Sequence, residues 1–219
     1  MNIPFSVEQF LNVFAKYNAA IWPAQIPLYL LGIAGVILAA SRLAWSGRLV
    51  LGSLALYWVW MGALYHLAFF RQINPVAAVF GVLFILQGVL FILPAARGSI
   101  RFGAPQGWSG ILGTVFIAYA LVVYPILGAL TGHAYPRAPL FGVAPCPTAI
   151  FTFGILLWAR NRVGIYLLIL PFLWSLVGFT AALKLGIRED FGLLVAGLVG
   201  TGLLLARRLR RSTASDTPR

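Results

Sequence analysis

Of 219 residues, 61% are hydrophobic and only 9% charged, and the mean hydropathy is +0.94; this excludes a soluble domain, which must clothe itself in polar groups. A net charge of +12 would point to nucleic acid in a soluble chain, but these arginines are scattered between apolar runs without a basic stripe, so no nucleic-acid partner is expected. A single cysteine excludes an internal disulfide.

Near the N-terminus, Ser6 and Gln9 stand at capping-box spacing, and Phe10, Val13, Phe14 and Tyr17 follow at helical intervals. They predict an amphipathic helix on the outer membrane surface, serving as an interfacial anchor or as a lid over an outward pocket. The first residues carry no positive charge and no short apolar core, so no signal peptide is expected. Seven apolar spans follow, at residues 24–41, 49–70, 75–95, 109–131, 146–159, 163–183 and 190–206, taking about 20 apolar residues per crossing as the yardstick. They are continuously apolar, without the alternation of a barrel strand, so the fold class is all-α. The gaps are too short to hold a second unit. Residues 1–206 therefore read as a single membrane domain, with the lipid bilayer as its partner, and 207–219 as a basic, disordered tail.

The gaps sort the charges by side. Arg42, Arg48, Arg97, Arg101, Arg160, Arg162, Arg207, Arg208, Arg210, Arg211 and Arg219 all follow odd-numbered spans, eleven of the 16 basic residues. Lys16, Arg71, Arg137, Lys184 and Arg188 fall on the other side. The positive-inside rule then predicts a cytoplasmic C-terminus and an external N-terminus. Glu8, His66, His133, Cys146, Glu189 and Asp190 fall on or near the outer face, with only Asp216 elsewhere, so any proton, metal or thiol chemistry belongs to that face.

An internal repeat is also visible. Gly-Ala-Leu-Tyr-His at 62–66 resembles Gly-Ala-Leu-Thr-Gly-His at 128–133, and Phe80-Gly81-Val82-Leu83 resembles Phe153-Gly154-Ile155-Leu156 and Phe191-Gly192-Leu193-Leu194. One leading helix followed by three hairpins would give this pattern, as would chance in a chain rich in Leu and Gly. A real repeat would make the two histidines equivalent.

Five residues form the candidate pocket: His66, Tyr124, His133, Cys146 and Thr148. His66 sits about 6 Å inside its span at 1.5 Å per residue, a depth where ionisable groups mark pathways or ligands; the bland reading is an interfacial imidazole bonded to a neighbouring helix. His133 lies in the longest external loop, where a solvated histidine is the ordinary case. The loop between Thr131 and Pro147 carries four prolines and is expected to be non-helical, presenting Cys146 on extended backbone between Pro145 and Pro147. The span behind it is short, so either the bilayer thins or this stretch is unwound around a cavity, although a lone cysteine is usually a small apolar residue. Thr148 follows directly and can instead bond its own helix backbone. As metal ligands, His66, His133 and Cys146 form the candidate set. Asp190 is expected to cap its helix and Glu189 to pair with Arg188 or Lys184, while Gln87 binds a neighbouring helix and Pro125 and Pro171 kink theirs.

Tyr65-His66 through Phe70, Asn74-Pro75, Gln87-Gly88, Tyr119 to Pro125 with Gly132-His133, and Phe141 to Phe153 with its Pro-Cys-Pro-Thr core resemble a family of bacterial inner-membrane proteins classed as a domain of unknown function. The resemblance covers nearly the whole chain and implies a multi-pass location in the bacterial inner membrane. Some members are labelled permease, which implies transport by analogy only.

No nucleotide-binding loop, serine nucleophile motif or pair of carboxylates within a span is present, which disfavours a pump or hydrolase. Three functions fit the remaining features. The foremost is a small-solute permease with an outward-facing polar pocket; the others are a metal- or haem-binding membrane protein and a noncatalytic partner subunit. The sequence names no cofactor.

Overall fold

Backbone polar groups in lipid must be satisfied within the chain, and apolar runs of this length do so as helices. The computed structural model describes residues 4–41 and 43–213; Arg42, Asp216 and Arg219 lie outside them. Among the described residues there are eight helices and no strand, with one isolated bridge between Phe102 and Ala159. They are α1 Val7–Ala20, α2 Gln25–Ala40, α3 Ser46–Gln72, α4 Ala77–Arg97, α5 Gly107–Leu130, α6 Pro145–Leu157, α7 Ile169–Leu185 and α8 Phe191–Thr213. Helices occur in all seven predicted apolar stretches, but five are long and apolar enough to cross a membrane, or six if α1 and α2, bent by 91°, count as one broken span. The last helix runs on through Arg207 to Thr213, past the predicted end at 206.

Lipid exposure and close packing divide these helices. Leu30, Ile37, Leu56, Val82, Ile92, Ile111, Val122, Leu173 and Val195 are exposed apolar side chains on the long helices and α2. By contrast, α6 is interior: every residue from Pro147 to Leu157 is buried. Its 13 residues make about 20 Å at 1.5 Å per residue, and a helix enclosed by protein need not match the hydrocarbon thickness. Helix α5 packs on α6, and α6 and α7 pack on α8. Small residues set these approaches. A Cβ on Gly113 would come within 2.7 Å of the Gly154 carbonyl oxygen, and one on Gly62 within 2.6 Å of that of Gly81.

The two ends of the bundle are chemically distinct, as the charge sorting implies. At one end Arg160 donates its backbone N–H to Arg101 O at 2.8 Å, Arg101 donates to Asn161 Oδ1 at 2.8 Å, and the Arg207 guanidinium donates to Leu157 O at 2.9 Å. At the other end lie the loop 131–144, the turn 186–190 and α1.

Two long helices are not α-helical throughout. In α3 the segment Met61–Phe69 is a π-helix, and in α5 so is Tyr119–Val123. Pro125 provides part of the reason in α5: it has no N–H to give Leu121, and that carbonyl accepts the Tyr29 hydroxyl instead. Pro171 falls in the first turn of α7, where its missing N–H has no acceptor within the helix to lose.

The Pro-Cys-Pro stretch is not extended, contrary to expectation. Pro145, Cys146 and Pro147 form the first turn of α6, where backbone N–H groups lack intrahelical partners and prolines therefore cost nothing. The irregular backbone lies just before it, from Phe141 to Ala144, and it is buried. Such backbone inside a membrane protein requires its own donors. Tyr17 Oη donates to Val143 O at 2.9 Å, and the Gly142 N–H donates to Thr148 Oγ1 at 2.9 Å. Gly142 has φ +82°, a left-handed conformation that a side chain would strain.

Candidate functional site

The π segments decide which side chains meet at the α1 end of the bundle. In an α-helix, residues five apart differ by about 140° in direction at 3.6 residues per turn. A π turn bonds i to i+5 and sets such residues one above the other. Phe70 N–H is shared between His66 O and Tyr65 O, and the Tyr65 and Phe70 rings stack with centroids 5.5 Å apart. Tyr124 N–H reaches Tyr119 O, and both hydroxyls go to one turn: Tyr119 Oη donates to Glu189 O at 2.8 Å and Tyr124 Oη to Asp190 Oδ1 at 2.5 Å.

These side chains bound a cavity of about 570 Å³. Its floor is made of Tyr65, Tyr124, Cys146, Trp174 and Asp190; Phe70 and Phe80 form one wall, and Pro4, Phe5, Phe10 and Phe14 close it from the α1 side. At its rim Val76 is 53% and Val177 39% exposed, and Lys184 is exposed too. The lining is chiefly apolar and aromatic rather than polar. The Cys146 thiol lies beside the Asp190 carboxyl, and the buried Trp174 Nε1, which has no oxygen acceptor, lies beside the Cys146 sulfur.

Helix α1 is thus seated over the cavity. The capping box is present, with Ser6 N–H donating to Gln9 Oε1 at 2.8 Å and Gln9 N–H to Ser6 Oγ at 3.2 Å. Phe14 stacks on Tyr65 with ring centroids 5.0 Å apart, and Phe5 meets Phe70 edge to face. The long loop ties the helix down: Asn18 donates to Pro136 O at 2.7 Å and Ala138 O at 2.8 Å, and the Arg137 guanidinium donates to Glu8 and Asn12. That guanidinium holds the exposed Glu8 carboxyl below its usual range.

Of the five predicted pocket residues, Tyr124 and Cys146 line the cavity. His66 stands behind its wall, fully buried among the rings of Tyr65, Phe70, Phe80, Phe84 and Trp174 at centroid distances of 4.5–6.0 Å. Both its ring nitrogens lack a hydrogen-bond partner, so no neighbouring helix satisfies it. His133 is buried rather than solvated, with Nδ1 2.8 Å from Glu189 Oε1. Thr148 bonds the loop backbone as described. The two histidines therefore occupy unlike settings, one in mid-helix and one beyond a helix end. Among the described residues no group of three or more His, Cys, Asp or Glu side chains is placed to hold a metal ion.

Sequence reasoning passed over Trp174 and gave Asp190 and Glu189 local structural roles, a helix cap and a pairing with Arg188 or Lys184, rather than a place in the site. Glu189 pairs with His133 and not with Arg188 or Lys184, because the left-handed Gly186 at φ +72° ends α7 and turns the next residues back beneath α5. Gln87 behaves as expected and donates to Leu167 O at 3.3 Å.

A family model matches this chain over residues 7–215, nearly its full length. The chain belongs to the DUF6064 family. DUF6064 is a family of unknown function, so membership carries no activity with it. Comparison with curated proteins and with solved structures finds no match. For this DUF6064 protein the chemistry must come from the cavity itself.

Proposed function

We propose that this DUF6064 protein is a small-solute permease of the bacterial inner membrane, with the outer-end cavity as its binding chamber. The observation that carries the reading is the cavity itself: about 570 Å³, within the range of roughly 300–1,000 Å³ that holds small molecules, ending on a carboxyl, a phenol and a thiol. Orientation follows from charge. The arginine-rich end belongs in the cytoplasm and the α1 end outside. Helix α1 then acts as the lid, since its phenylalanines close the chamber while polar ties to a loop hold it in place.

Cys146 is the single cysteine, so its thiol reports on the chamber without further engineering. In proteoliposomes, swelling rates across a panel of small neutral and charged organic solutes should exceed those of protein-free vesicles for at least one solute. Capping Cys146 with methyl methanethiosulfonate should remove the excess. Swelling equal to protein-free vesicles for every solute, or unaffected by capping, would defeat the proposal.

A further inference from the structure

We infer that the chamber selects a hydrophobic organic cation, a quaternary ammonium or a protonated amine, with its charge against Asp190 and its hydrocarbon against Phe14, Tyr65, Phe70 and Trp174. This rests on the cavity being a binding chamber, and it adds the class of ligand.

The first support is charge balance at the floor. A buried carboxyl keeps its negative charge when a positive charge compensates it and otherwise takes up a proton, so an entering cation can exchange with that proton. The described ion pairs are His133–Glu189 and Arg137–Glu8, and neither includes Asp190. Glu189 already occupies His133, so even a protonated imidazole leaves Asp190 without a cationic partner. Asp190 is 5% exposed and lines the cavity, which is where a compensating charge has room to enter. Lys184 does not serve, because it stands exposed at the rim, where solvent and salt screen it.

The second support is the wall. An apolar wall with one acid at its floor suits a ligand that carries hydrocarbon and a single positive head, since burying the hydrocarbon is favourable and the head meets the acid. Phe14 stacks on Tyr65 and Tyr65 on Phe70, so these rings spend their faces on one another and offer the ligand hydrocarbon surface, and Trp174 stands beside Cys146. An anion would meet the carboxyl. A neutral hydrocarbon would fill the volume but give the carboxyl no partner.

Isothermal titration of the full chain in detergent with three isosteric probes tests this: benzyltrimethylammonium, neopentylbenzene and phenylmethanesulfonate. The cation should bind about tenfold or more tightly than the neutral isostere, a ratio within reach of one charge pair in an apolar chamber, and the anion weakest. Asp190→Asn should abolish that preference, so that the cation binds the variant no more tightly than neopentylbenzene binds it. Equal binding of cation and hydrocarbon, or a preference that survives Asp190→Asn, overturns the inference. Should the variant fail to fold, the ranking of the three probes on the native protein decides. Flux is read separately. Binding with the expected ranking but no movement into proteoliposomes upholds the cation inference and defeats the permease reading. Movement of the hydrocarbon or sulfonate in preference to the cation does the reverse.

Discussion

Tyr119 and Tyr124 make a matched pair of probes, because the same π turn aims both hydroxyls at the 189–190 turn while their acceptors differ. Tyr124→Phe removes a buried hydroxyl 2.5 Å from Asp190 Oδ1; a hydrogen bond to a charged group contributes about 1.5–3 kcal/mol. Tyr119→Phe removes a half-buried hydroxyl that donates at 2.8 Å to the backbone oxygen of Glu189; a neutral bond of this kind is worth about 0.5–1.5 kcal/mol. The difference between the two variants should therefore be about 1–2 kcal/mol, with Tyr124→Phe the less stable. Equilibrium unfolding in mixed micelles, followed by tryptophan emission at several detergent ratios, measures both on one scale. If Tyr119→Phe costs as much as Tyr124→Phe, or if Tyr124→Phe is neutral, then Asp190 is not held by the phenol and the floor of the site has been wrongly assigned.

Helix contact predicts a second contrast. Restoring an ordinary 3.4 Å contact from 2.7 Å forces α5 and α6 apart by about 0.7 Å, so Gly113→Ala should lose about 1–3 kcal/mol; Gly52→Ala, which meets nothing within 4 Å, should not destabilise in the same unfolding assay. His66 predicts the opposite sign, since exchanging an unsatisfied buried imidazole for an apolar side chain is close to neutral or stabilising. A lower midpoint for His66→Leu would show that its nitrogens have a partner. For the lid, the Arg137 guanidinium lowers the Glu8 carboxyl pKa in the folded state, so the tie is present at neutral pH and is lost as pH falls through the lowered value. Amide exchange within Val7–Ala20 should therefore accelerate in acid, beyond the intrinsic pH dependence, in the native chain and not in Glu8→Gln.

What could be read from the sequence follows the range of the interaction. The capping box needs two residues three apart, and the apolar runs need only hydropathy, so α1 and the positions of the helices were legible. Charge sorting survived because flanking arginines act through position alone. The partner of Glu189 was not legible: Arg188 and Lys184 are near in sequence, whereas His133 is brought in by the left-handed turn at Gly186. The interior placement of α6 also depends on tertiary enclosure. Its composition is apolar like that of a lipid-facing span, so a short helix read as a thin crossing or a break when it is a core element.

The π turns were the hardest feature to see and the most consequential. A 3.6-residue period places Tyr65 and Phe70, and likewise Tyr119 and Tyr124, on different sides of their helices, so neither pair signals a shared site. Pro125 was read as a kink, and the structure adds an effect on the hydrogen bonding of the turn before it, where Leu121 O accepts from Tyr29. An α-helical α5 would turn one tyrosine away from the Glu189–Asp190 turn and leave the carboxyl or the backbone carbonyl without its donor. An α-helical α3 would likewise turn Phe70 away from Tyr65 and open the wall beneath the lid. The wider turns thus supply what a lipid-embedded bundle with few polar residues otherwise lacks: two extra side chains directed into the same small volume, without unpairing backbone groups in the hydrocarbon region.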